Sequence, residues 1–404
     1  MENSGTPSMA IHTLIRKVFP LILYLVIPSL YTVHKVGGLA GLILYAIVTS
    51  LLLFLLYSND AIPRLLAPKK SIALAWPLTG LTLIGVFLIF GIIYPIANSG
   101  VVGGGSDHDD ALNVAVNELI HGRYPYYKRT YLDAPITPMP GSILLSLPFV
   151  LLGNSAYQNL FWVIVLYLFT RHLYQNKLSA LMLFWVMLGL APIFLHVTVI
   201  GSDYVSNAVF LMVSMIWMYN SLKESNTPLW QKIVSSALFG LALSSRLNLA
   251  VVSIPLFFLL WKKAGWKDTT IYCTLSAVVF LSVTLPFYFY DPANFSPLHT
   301  FGKLNQFNAI FPYFSLGTSV ATVVLALLIS LLFTPQSGAV TLLQACAFFL
   351  LFPVLCALLP ALILDGDFFL STYGSFAMVF GAVGYWSSFD LSLFHAEHQT
   401  WQSN

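Results

Sequence analysis

The 404 residues are 58% hydrophobic and only 8% charged, against roughly a quarter charged in an ordinary globular domain, which excludes a water-soluble class and gives a polytopic membrane protein. The formal charge of +3 is small, and the basic residues sit as scattered flanks of apolar runs, which excludes nucleic-acid binding. Cys273, Cys346 and Cys356 lie inside apolar runs, where a thiol behaves as a small packed hydrophobe, so neither a disulfide framework nor a metal-thiolate site is expected.

A membrane crossing needs about 20 apolar residues. In chain order, Arg16 and Lys17 precede a first run with no cleavage pattern, so it is expected to be retained. Crossings are predicted at 18–34, 38–57 and 72–94. A long loop, 95–154, follows. Further crossings are predicted at 155–172, 178–199 and 204–222. The run 230–261 is interrupted by Ser244, Ser245, Arg246 and Asn248 and has basic residues at both ends, so it reads as a helical hairpin with Arg246 at its tip. Crossings at 270–290, 312–334, 339–363 and 368–388 bring the expectation to about twelve, in an all-α fold. The segment 141–152, "GSILLSLPFVLL", is too short to cross and is expected to be interfacial or re-entrant. The tail 391–404 is expected to be cytoplasmic.

With the N-terminus inside, twelve Lys and Arg, from Arg16 to Lys267, flank the cytoplasmic ends, while Lys35, Arg123, Lys128, Arg129, Arg246 and Lys303 fall outside. The loop 95–154 then faces the extracytoplasmic side. Most acids gather on that face: Asp107, Asp109, Asp110, Glu118, Asp133, Asp203, Asp291, Asp365 and Asp367.

Within the loop, "GGGSDHDDALNVAVNELIHGRYPYY" (103–127) breaks the chain with glycines, offers Ser106 or Asp107 as a helix cap, and continues with Leu112, Ala115, Val116, Leu119 and Ile120 at helical spacing. That pattern predicts a short amphipathic helix on the membrane surface, ended by Gly122. One carboxylate suffices for a cap. Three within four residues, beside His108, point to a site. Arg246, between two apolar half-spans, is costly unless paired or facing a polar cavity, which makes it a candidate anion partner. His299 and Lys303, about one turn apart, are candidates to join it.

An acidic motif directly after a span, a surface helix, Gly-x-x-Pro-Tyr and a short "LPFVLLG" segment resemble the GT-C superfamily of membrane glycosyltransferases, including its mannosyltransferase- and arabinosyltransferase-like branches. "GSDYVSNAVF" (201–210), "GLALSSRLN" (240–248) and "YDPANFSPLHTFGKLNQ" (290–306) are similar to later segments of that pattern. The resemblance covers roughly 72–390 and leaves 1–71 as two additional N-terminal helices. It implies transfer of a monosaccharide from a polyprenyl-phosphate donor to a hydroxyl of a lipid or glycan acceptor on the extracytoplasmic side; the lack of a long lumenal domain points to a bacterial inner membrane. It implies a general base at Asp107 or Asp109, Asp107 having the superfamily-like distance to Gly122. Arg246, His299 and Lys303 then hold the donor phosphate, and His108, Asp110, Asp203 and Tyr126 contact acceptor or substrate. No cofactor is expected. Asp107-His108-Asp109 has the spacing of a divalent-metal motif, but the nucleotide sugars such a motif serves are cytoplasmic. The rival readings are a transporter or flippase, disfavoured because no internal repeat is visible and the acids avoid span centres, and a scaffold subunit.

Overall fold

A computed structural model describes residues 7–58, 68–99, 101, 105–175, 177–224 and 226–386. The tail 391–404 and the flanking Arg64 lie outside the described residues. Among those described, the architecture is all-α with no strand, only an isolated bridge between Arg129 and Pro135. Seven helical stretches are long and apolar enough to cross a membrane, or eight if one bent pair counts as a single crossing.

The first helix, α1 (Pro7–Ser58), contains a predominantly apolar stretch of 41 residues, Val18–Ser58. Straight, these would extend about 60 Å, twice the hydrocarbon thickness. The helix breaks at Gly38, whose φ of 58° suits a residue without Cβ. The Tyr45 hydroxyl donates to the carbonyl of Leu25 at 3.2 Å, although 20 residues along one helix would hold the two about 30 Å apart. The chain therefore doubles back, and its two limbs correspond to the crossings expected at 18–34 and 38–57. The same hydroxyl lies 2.7 Å from the Leu190 carbonyl and so ties the hairpin to the rest of the bundle.

After α2 (Pro68–Asn98) come the loop helices α3 (His108–Ile120) and α4 (Pro140–Leu151), then α5 (Tyr157–Tyr174), α6 (Lys177–Leu190), α7 (Pro192–Val199) and α8 (Tyr204–Lys223). The crossing expected at 178–199 is not continuous: α6 and α7 meet at an angle of 83°. Pro192 disfavours helical geometry at Ala191, which takes φ −127° and ψ 78°, so the helix ends there and a new one starts with proline in its first turn. Helix α4 is about 18 Å long by its 12 residues, too short to cross.

The run 230–261 breaks at Arg246 as expected, into α9 (Leu229–Leu243), a 3-10 turn at Leu247–Val252 and α10 (Ser253–Ala264); of its two limbs, the stretch Leu247–Ala264 is long and apolar enough to cross, while α9 is shorter. Helices α11 (Trp266–Tyr290), α12 (Gly302–Asn305), α13 (Phe314–Leu331) and α14 (Ala339–Asp365) follow. The segment expected to cross at 368–388 begins instead as a 3-10 turn, Phe369–Gly374, and only then becomes α15 (375–386).

Burial is graded as a membrane demands. Helix α8 is buried along nearly its whole length and forms the centre of the bundle. Helices α2 and α13 leave Ile84, Leu88 and Ile92, and Val320, Val324 and Leu328, exposed at helical spacing as lipid-facing stripes. The surface helix α3 departs from expectation. Its apolar face, Leu112, Ala115 and Val116, is spent on protein, packed with Tyr124, Tyr126, Ile136, Ile143 and Phe295 in a second small core. It does not lie on lipid by that face. Burying it fixes the rotation of α3 and thereby the direction of each acid at its start.

Candidate functional site

The three acids that open α3 diverge. Asp107 stands at the N-cap but makes no side-chain cap bond; its Oδ2 accepts from Thr130 Oγ1 at 2.9 Å. Asp110 Oδ2 accepts from the Tyr131 N–H at 2.8 Å. These two hold the 130–131 turn against α3. Asp109 turns inward and is 1% exposed. It accepts from the Tyr94 hydroxyl of α2 at 2.5 Å, while its Oδ1 has no hydrogen-bond partner among the described residues. Burial pushes the Asp109 carboxyl up to about 6, although the Tyr94 bond works the other way. Capping thus does not account for the cluster.

Gly201, in the turn between α7 and α8, makes that inward turn possible. Its φ is 82°, and a Cβ there would lie 2.9 Å from Asp109 Cγ and from the Tyr94 ring. The backbone passes directly over the buried acid, which no residue with a side chain permits at this φ.

Two residues on, Asp203 is fully buried at the start of α8. Its Oδ1 accepts from Arg246 Nη2 at 2.5 Å and lies 3.3 Å from His108 Nδ1; its Oδ2 accepts from Asn207 Nδ2 at 2.7 Å and from Ser142 Oγ at 3.2 Å. Burial favours the neutral acid, but the Arg246 and His108 charges and their bonds prevail and hold this carboxyl below the usual carboxylate range. The hairpin tip, α8, α4 and the start of α3 therefore meet at one carboxylate. Removing either member of the buried Asp203–Arg246 pair would strand a charge, at a cost of about 3–5 kcal/mol.

Arg246 is 8% exposed. Its Nη1 reaches Thr137 Oγ1 at 3.5 Å, its guanidinium carbon lies 5.6 Å from the centre of the Tyr204 ring, and its Nε has no hydrogen-bond partner among the described residues. It faces a cavity of about 60 Å³ whose wall also carries His108, His299, Lys303 and Tyr373. A wider cleft of about 460 Å³ adjoins at His299 and is edged by Lys128 and Arg129, within the size range of small-molecule sites.

Of the residues singled out from sequence, His108, Arg246, His299 and Lys303 share the small cavity, and Asp203 is sealed beneath it. Asp107 precedes His108 in the chain but is not part of the cavity wall; its carboxylate is turned to Thr130. Asp109 and Asp110 point elsewhere. Tyr126 has its hydroxyl committed to the Pro138 carbonyl at 3.1 Å and its ring packed against Phe295, so it contributes to the wall of the wider cleft as a buried ring, with no free hydroxyl. Thr137, Ser202, Tyr204 and Tyr373 were missed. Tyr373 arrives on the 3-10 turn within a run read as a span, where "STYG" is the polar interruption that marked it.

Asp107 and Asp109 do not converge on a common point, and among the described residues no group of three or more His, Cys, Asp or Glu gathers as metal ligands would. The chain matches no protein-family model, no curated protein and no solved structure.

Proposed function

We propose that this protein is a GT-C-type membrane glycosyltransferase that moves a monosaccharide from a polyprenyl-phosphate donor to a hydroxyl of a lipid or glycan acceptor. In this reading the chain crosses the membrane about twelve times, the site opens on the extracytoplasmic side, and the membrane is a bacterial inner membrane. The observation that carries the reading is the meeting of Arg246, His299 and Lys303 around one cavity whose wall includes His108, the chain neighbour of Asp107. Cations from distant parts of a chain with so few charges suit an anionic ligand, and a lipid phosphate is the anion a membrane-embedded site meets.

The roles follow. The acceptor hydroxyl gives its proton to Asp107 as its oxygen bonds to the anomeric carbon. The bond from that carbon to the phosphate oxygen breaks, and the electron pair leaves with the lipid phosphate. Arg246, His299 and Lys303 stabilise the charge that develops there. Asp107 is a better base than Asp109, which is buried away from the cavity. The sugar and acceptor lie in the wider cleft beside His299.

The test is release of free polyprenyl phosphate by purified protein in nanodiscs, supplied with a panel of radiolabelled polyprenyl-phosphate sugars. Asp107→Asn should lower turnover about 100-fold or more, while Asp109→Asn keeps it within several-fold. A panel in which no donor is consumed, or donor moved across the bilayer intact, would favour a transporter and sink the proposal.

A further inference from the structure

Building on the glycosyltransferase reading, we propose that His108 is a second catalytic residue, held by Ser202 and Asp203 through Nδ1 so that Nε2 donates a proton to the departing phosphate oxygen. Three observations carry it. First, Nδ1 is committed: it lies 2.9 Å from Ser202 Oγ and 3.3 Å from Asp203 Oδ1, and the ring meets the Tyr204 ring edge-on at 4.7 Å. The imidazole is therefore fixed in both position and rotation. Second, the side chain is 23% exposed and belongs to the wall of the cavity that holds Arg246, His299 and Lys303. With Nδ1 occupied by protein, Nε2 is the nitrogen left for a ligand. Third, Asp203 is an ionised carboxylate with no exposure to solvent. A carboxylate beside Nδ1 keeps a proton on that nitrogen and leaves Nε2 to the cavity; the donor form this proposal requires is the imidazolium, in which Nε2 also carries a proton.

The step balances with the groups already named. The acceptor proton passes to Asp107, the new bond forms at the anomeric carbon, and the bond to phosphate oxygen breaks. The His108 Nε2 proton moves onto the oxygen that takes the electron pair. His108 is then reprotonated from solvent, and Asp107 returns its proton there. Asp203 acts through His108 and Arg246 and is a positioning residue.

Titratable groups surround the imidazole: Asp203 at Nδ1, Arg246 on the same Asp203 oxygen, His299, Lys303 and Tyr373 in the wall of the same cavity, and Asp107 beside it in the chain. The pH readout must therefore be tied to His108 by substitution. His108→Asn places an amide where Nδ1 stands and leaves nothing at Nε2; His108→Gln reaches the Nε2 position with a group that cannot transfer a proton. Release of polyprenyl phosphate would be followed across about pH 5 to 9 for the wild type and both variants, with thermal unfolding as a check on the fold.

Both variants should lose about 100-fold in kcat with KM changed only several-fold, and both should lose the fall in activity that the wild type shows as pH rises. An active wild type whose rate His108→Asn preserves would overturn the inference and leave His108 a structural anchor, the transferase reading standing. So would a variant that loses rate but keeps the alkaline fall. If either variant fails to fold, the other serves; if both fail, a wild-type rate that does not decline with rising pH still overturns the inference, because it rules out a titrating donor. A wild type that consumes no donor overturns both this inference and the proposed function.

Discussion

Asp109 shows how the acid cluster divides its work. One of three neighbouring carboxylates is driven into the protein, against Tyr94 and beneath Gly201, and its proton is held more tightly than in the unfolded chain. Between the ordinary value of 3.8 and about 6, the folded state binds more protons than the unfolded one, so stability falls as pH rises through that window. The fall amounts to about 3 kcal/mol. Asp109→Asn keeps an oxygen for the Tyr94 hydroxyl and carries no charge, so its melting temperature in detergent should not fall between about pH 4 and 7 as the wild type's does. Parallel curves for the two proteins would refute this account. The sequence made Asp107 and Asp109 equal candidates, because adjacent helix-start positions look alike until the helix rotation is known. Packing of Leu112, Ala115 and Val116 sets that rotation.

Among the elements, turns and breaks position the site more than the spans do. The α7–α8 turn brings Ser202 and Asp203 to His108 and carries Gly201 across Asp109. Gly201→Ala combines a positive φ with a 2.9 Å approach to Asp109 Cγ, and should destabilise by about 2 kcal/mol or more, read as a lowered unfolding temperature in detergent. A tolerated alanine would mean that α7 shifts freely against α3. The break before this turn was signalled by Pro192, but a hydropathy window averages over one proline, and 178–199 reads as a single run. The hairpin at Arg246 was legible for the opposite reason: four polar residues in a row of five interrupt an apolar run, and no averaging hides them. Helix α3 was legible as amphipathic. Which surface covers its apolar face was not, since lipid and protein satisfy the same pattern.

At the scale of the whole molecule, Asp203 and Arg246 put the α3 loop, the start of α8 and the hairpin tip at one end of the bundle. Lys223 and Lys262 lie at the far ends of the helices that lead from it. If that far end is cytoplasmic, Leu132→Cys should react with an impermeant maleimide on intact cells, and Glu224→Cys only after permeabilisation; both positions are exposed. The reverse pattern would place the site inside and remove the proposed donor's access. The N-terminal hairpin, expected to lie outside the core pattern, packs against the 3-10 turn that carries Tyr373, with the Tyr31 N–H donating to Ser371 Oγ at 3.1 Å. It therefore supports one wall of the cavity.

The sequence by itself determined the class of the molecule, the position of most helices, and the small set of charged residues from which any site must be built. Apolar run length and charge scarcity are local properties, and a membrane makes them binding because every unpaired polar group inside it is costly. Only the tertiary structure decided the pairings. Asp203 meets Arg246 across 43 residues and Ser202 meets His108 across 94, and three similar aspartates are sent to three different partners. No local rule fixes such contacts, because each depends on how helices far apart in the chain rotate and pack against one another.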